Sequence, residues 1–184
     1  MKTATILLSF ILTFAIANAQ DKYMTKNGHI RFYSHTPMED IDGNNHQVGS
    51  IMDVKTGEIV FNALIKSFEF SRALMQEHFD ENYMESDKIP NAKFKGQVLN
   101  IKDVDVKKDG DYTVDVKGDL NIHGVVKNIT VKAVLQVKGG KITGTTKFTV
   151  TAGDFNIAIP SVVQEKIAKE IEVTVEMNYE AVNK

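Results

Sequence analysis

Cysteine is absent from the chain. That excludes disulfides, thiol nucleophiles and Cys-ligated metal, so packing and sheet hydrogen bonds must hold the fold. Basic residues are not in excess either, with 22 Lys and Arg against 24 Asp and Glu. Such a balance argues against nucleic acid, whose binders carry a basic face. Nucleophile elbows of the G-x-S-x-G type, phosphate-binding loops, dinucleotide-binding glycine motifs and H-x-H or H-E-x-x-H arrangements are all missing, so no cofactor is expected. The acid-rich run from Glu77 to Asp87 lacks the alternating ligand ladder of a calcium loop and reads as solvated surface. No internal repeat, low-complexity tract or linker divides the chain.

Long apolar runs are also scarce. The run from Ala4 to Ala17 is shorter than the roughly 20 residues a spanning helix needs. Behind Lys2 and ahead of Ala17-Asn18-Ala19 it has the layout of an export signal with a small-x-small cleavage site. Cleavage after Ala19 is expected, leaving a periplasmic or secreted protein without a stable membrane anchor. Residues 1–19 hold one lysine and no acid, so the charge balance becomes 21 basic against 24 acidic, formally −3. Residues 20–184 suit one domain.

What the chain has in abundance is period-two alternation. From Asp111 to Gly124 the even positions are Tyr112, Val114, Val116, Gly118, Leu120, Ile122 and Gly124, and the odd ones are polar. Glu170 to Glu180 sets Ile171, Val173, Val175, Met177 and Tyr179 against polar neighbours in the same way. Ile129 to Val137 and Ile142 to Val150 alternate too, joined by Gly139-Gly140, a hairpin signal. Less regular strands are predicted over Ile30 to Ser34, Gln47 to Val54, Glu58 to Lys66 after a Thr56-Gly57 turn, and Lys93 to Val104. Asp109-Gly110 predicts another hairpin. About eight strands with one apolar face each call for closure, and Gly96, Gly118, Gly124 and Gly144 read as inward positions where strands bend. The expected fold is therefore all-β, an antiparallel barrel. Two short helices are expected as well: Ser71 to His78, and one opened by a capping box at Ser161 to Gln164.

Five histidines invite a metal or catalytic reading. His29 and His35 share a strand face with Arg31 and Tyr33, expected in solvent. His123 falls on the polar side of its strand, and His46 in an Asn-rich turn, Asp42 to His46. Glu77, His78 and Asp80 form a local acid and imidazole cluster, with Ser67, Ser71 and Ser86 around the same helix. The better reading of His78 is orienting that helix or meeting a ligand's head group at the barrel mouth.

Leu74 to Gly96 carries His78-Phe79, Tyr83, Glu85, Asp87, Pro90 and Phe94 in an order that resembles the signature of the YceI-like, lipid- and polyisoprenoid-binding family. Gly118 to Lys127 and Asp154-Phe155, Ile157 and Pro160 resemble two further elements of it. The lead-in to Ile30-Arg31-Phe32 lacks the family's aspartate and His-Ser pair. The resemblance covers nearly all of residues 20–184 and implies a lipocalin-like, extended barrel with an elongated apolar interior. It also implies binding of a long isoprenoid or other amphiphile.

The candidate cavity lining comprises Phe32, Phe61, Phe68, Phe70, Leu74, Met75, His78, Phe79, Tyr83, Met84, Phe94, Val114, Val116, Phe148 and Phe155. The expected partner is an apolar small molecule, an isoprenoid or lipid, held without catalysis; a homodimer is an open alternative. The rival reading is a fully packed barrel whose 71–90 segment docks another envelope protein, and an enzyme using His78 ranks last.

Overall fold

A computed structural model describes residues 21–182, and the expected export signal and cleavage site lie outside them. Eight strands run in chain order: β1 (Lys22–His35), β2 (Asp40–Asp53), β3 (Glu58–Leu64), β4 (Asn91–Val98), β5 (Gly110–Ile122), β6 (Val125–Lys138), β7 (Lys141–Val150) and β8 (Ile171–Ala181). Each pairs antiparallel with the next, and β1 also pairs with β8, closing the sheet. Closure removes exposed strand edges. It also gives every alternating strand a common place to bury its apolar side, which is why the period-two pattern predicts the architecture correctly.

The two ends of the barrel differ. At one end, where β1 begins and β2 ends, Tyr23, Met52, Val98, Val114, Val137, Ile142 and Tyr179 pack into a dense buried plug. At the other end the connections are long. Residues 65–90 link β3 to β4 through α1 (Ala73–Glu77) and a π-helical turn (His78–Tyr83), and residues 151–170 link β7 to β8 through two 3-10 turns. These excursions, with the Thr36–Glu39 turn, surround the mouth.

Inside the plug, Ser50 Oγ donates to the Val60 carbonyl at 2.8 Å. Its one hydrogen is thereby used, so Tyr179 must donate its own to Ser50 across 2.7 Å. Burial pushes the Tyr179 hydroxyl well above its ordinary pKa, and Tyr23 shifts the same way. The folded state therefore holds that proton more tightly than the unfolded chain. Its contribution to stability is complete below pH 10 and is lost as the pH rises above it, by about 1.4 kcal/mol per pH unit for one proton. Denaturant midpoints measured from pH 9 upward should fall, and Tyr179→Phe should flatten the decline.

Several local expectations are corrected. Asp42 to His46 is no turn but part of β2. The pairing of β1 with β2 slips between Thr25 and Gly28 and again between Gly28 and Ile30. Asn45, fully buried there, donates to the Leu64 carbonyl at 2.9 Å and accepts the Gln47 amide at 2.8 Å. A polar side chain thus satisfies backbone groups that the irregular ladder leaves free. His46 is stacked on His29, with ring centroids 4.2 Å apart.

His123 and Gly124 do not lie on the strand; they form the two-residue turn between β5 and β6, with φ of 51° and 76°. Gly124 is therefore a turn residue, where positive φ costs glycine least, and not an inward bend. The capping box at Ser161 is not formed: the segment is a 3-10 turn over Ser161–Lys166, preceded by Pro160, with no side-chain cap. β3 and β4 stop at Leu64 and Val98, and β4 reaches β5 through a long connection with a 3-10 turn at Ile101–Asp103, where Asp109-Gly110 predicted a hairpin. The predicted helix over 71–78 shrinks to Ala73–Glu77 and continues as the π-helical turn.

Candidate ligand-binding cavity

Between the plug and the mouth the barrel is hollow. The cavity measures about 510 Å³, within the range of small-molecule sites. Inward side chains of the strands form its walls: Ile30 and Phe32 from β1, Phe61 from β3, Phe94 from β4, Leu120 from β5, Val131 and Ala133 from β6, Phe148 from β7, and Val173 and Val175 from β8.

Of the fifteen residues expected to line it, fourteen do so, and Val114 does not. Val114 is 1 % exposed in the plug, one inward position below Val116. The alternation gives a residue's face, not its depth along the barrel axis. Ile129, Val131, Ala133 and Leu135 fall on the alternating apolar face of β6 and are not among the expected lining residues, yet all four border the cavity. Ile157, Ile159, Val163 and Ile167, also on the lining, come from the 151–170 connection, which has no period to reveal them.

The hollow depends on aromatic rings that lie along the wall. Gly96 and Gly118 face one another across β4 and β5. A Cβ built on either would come within 2.6 Å of the Phe94 ring. Gly43, cross-strand neighbour of Phe32, is covered the same way, with 2.3 Å from its Cβ position to that ring. Rings resting on glycines occupy wall where side chains would otherwise stand. At Gly118 the obstruction includes backbone, since a Cβ would lie 2.5 Å from both Gly96 Cα and the Lys95 carbonyl oxygen. Gly118→Ala is therefore expected to cost about 1–3 kcal/mol, the usual penalty for overpacking, read from the urea midpoint.

At the mouth, Phe32, Phe68, Phe70 and Phe79 form one aromatic cluster. Phe79 lies 5.2, 5.5 and 5.0 Å from the rings of Phe32, Phe68 and Phe70. This cluster holds the 65–90 segment over the opening. Farther along, Glu85, itself at φ 44°, meets His123 Nε2 at 3.3 Å. His123 Nδ1 is 3.3 Å from the Phe155 carbonyl, so the β5–β6 turn ties together both connections that frame the mouth. Lys88 beside it, and then His123, hold the Glu85 carboxyl below its usual range. His123 is thus mostly enclosed, contrary to its expected place on a polar face.

His78 is on the cavity lining and exposed, and its side chain makes no hydrogen bond among the described residues. The acid and imidazole cluster is not assembled: Asp80 accepts instead from Gln76 Nε2 at 2.8 Å. His29 and His35 bond Asn44 and Asp40, and no histidine bonds a serine among the described residues. Nor do three or more His, Asp or Glu side chains gather as a metal site there. The arrangement suits enclosure of an apolar molecule.

A family model for the YceI-like domain matches residues 22–179. The chain belongs to the YceI-like family. Its relatives include UPF0312 proteins of Pseudomonas putida, 28% identical over 154 residues that cover 77% of this chain and 72% of theirs. Among solved structures, this YceI-like barrel is similar to a polyisoprenoid binding domain from Saccharophagus degradans implicated in plant cell wall breakdown. The two share a TM-score of 0.78 at 16% identity, covering 88% of this chain and 99% of that one. BcnA of Burkholderia cenocepacia is similar with a TM-score of 0.68 at 14% identity, covering 82% and 95%. At such identities the likeness is one of fold.

Proposed function

We propose that this YceI-like barrel binds an apolar amphiphile, a polyisoprenoid, quinone or other lipid, and carries or sequesters it in the cell envelope after export. The observation that carries this reading is the 510 Å³ hollow bounded by apolar strand faces and aromatic rings. Each buried CH₂ contributes about 0.8 kcal/mol, so ten give about 8 kcal/mol before the cost of association, the scale of a micromolar complex. Longer chains bury proportionally more, which offsets that cost. The name of the Saccharophagus domain supports the isoprenoid class. Binding without turnover fits the unassembled His78 and Asp80, and the signal-like first nineteen residues support export.

A fully packed barrel serving only as an interaction module needs a solid interior, and the hollow speaks against it. Organic extraction of freshly purified protein, with native mass spectrometry of the intact complex, is expected to return one lipid-like molecule per barrel. Protein that is repeatedly empty, and that takes up no polyprenol, quinone or fatty acid, would end the proposal.

A further inference from the structure

The cavity lining is mostly apolar, and near its mouth its one acid, Glu39, meets cations from two other connections. Glu39 closes the tight turn begun by Thr36, whose hydroxyl accepts the Glu39 amide at 3.1 Å. Arg72, just before α1, donates from Nη2 to Glu39 Oε1. Lys166, at the end of the 161–166 turn, brings Nζ to 3.9 Å from Oε2, too far for a hydrogen bond. Among the described residues the Arg72 guanidinium makes no other hydrogen bond, and Lys166 and His78 make none with their side chains. A guanidinium has five N–H donors in a fork matched to carboxylate and phosphate oxygens, and an ammonium has three. Most of that donor capacity at the mouth is unspent.

The balance of charge has the same sense. Arg72, Lys93 and Lys166 stand on the lining against Glu39 alone, in a chain whose formal charge is −2. A net cationic lining at the mouth, where a ligand's polar end would emerge, points to an anion. We infer that the mouth holds an anionic head group, a phosphate or carboxylate, between Arg72 and Lys166, and that Glu39 is the internal carboxylate it displaces. This inference rests on the carrier reading and names the ligand class within it. The side chains of Arg72 and Lys166 are about half exposed, 58% and 46%, so solvent and salt weaken the interaction.

The test compares matched pairs on the full exported chain by calorimetry at low salt: hexadecanoic acid with hexadecanol, and geranylgeranyl phosphate with geranylgeraniol. At least one anion is expected to bind about tenfold more tightly than its alcohol, and the pair that shows the preference separates carboxylate from phosphate. R72Q/K166Q should reduce that ratio to about 2 or less, while E39Q, by removing the competing carboxylate, should raise it about threefold. Equal affinity within both pairs, or a preference that survives R72Q/K166Q, overturns the head-group assignment and leaves the carrier reading standing. Failure of all four compounds to bind overturns both.

Discussion

Ala133→Trp is expected to empty the barrel without unfolding it. Ala133 is an inward residue of β6, opposite Val114 of β5 and Thr146 of β7, and it lies on the cavity wall. In a packed interior an indole in place of a methyl would cost about 1–3 kcal/mol through forced rotamers and backbone shifts. Here the ring can extend into existing space and gain contacts there. The thermal midpoint should hold or rise, and affinity for any lipid chain should drop at least about tenfold, since a few excluded CH₂ groups already account for more than 1.4 kcal/mol. Val134→Trp, one residue along and 37% exposed on the outer face, supplies the control and should keep its lipid. A barrel that retains ligand with tryptophan at 133 would show that the chain lies elsewhere; one that unfolds would show that the space is not there to be filled.

The second large effect concerns what holds the mouth. α1 has five residues, too few to be stable alone, and the π-helical turn after it is intrinsically poor. The segment must therefore be held by tertiary contacts, and Phe79 makes three aromatic ones. Phe79→Ala is expected to cost about 2–3 kcal/mol, below the range for a fully buried phenylalanine because the side chain is only half-buried. More tellingly, proteolysis between residues 71 and 90 should accelerate, and bound lipid should leave faster. Limited proteolysis, with the urea midpoint measured in parallel, separates this from global loss of stability. Unchanged cleavage would assign the hold to the Lys66–Asp87 and Glu85–His123 pairs instead.

The parts of the fold that were legible are those where one residue's face repeats without interruption. β5 to β8 alternate cleanly, and their inward sets are those read from the sequence. β1 and β2 were legible only in pieces, because their inward parity changes partway. In β1 the buried positions are Tyr23 and Thr25 before the slip and Gly28 and Ser34 after it, and in β2 they are Gly43 and Asn45 and then Val48, Ser50 and Met52. A bulge inserts a residue and flips every later side chain, so the alternation cancels when read across it. Composition misled further: Asp42 to His46 has the residues of a turn, but they serve a bulge and a buried asparagine. His123-Gly124 was read as strand, since a two-residue hairpin adds no break in length that a pattern can detect.

The candidate lining was legible where aromatics and methionines marked it, in Phe61, Phe94 and the 68–84 segment. It was not legible at Glu39, Arg72 and Lys166. Each is an ordinary charged residue in its own loop, and nothing local distinguishes it from solvent-facing neighbours. Only closure of the barrel sets three distant connections around one opening.

By itself the sequence determined the number of strands, the inner face of each regular strand and the apolar character of the interior, because these follow from alternation within a few residues. The tertiary structure decided how far the interior is filled. That depends on which ring lies over which glycine and how deep each inward residue sits. These are relations between strands, fixed by register and closure, and no short stretch of chain contains them.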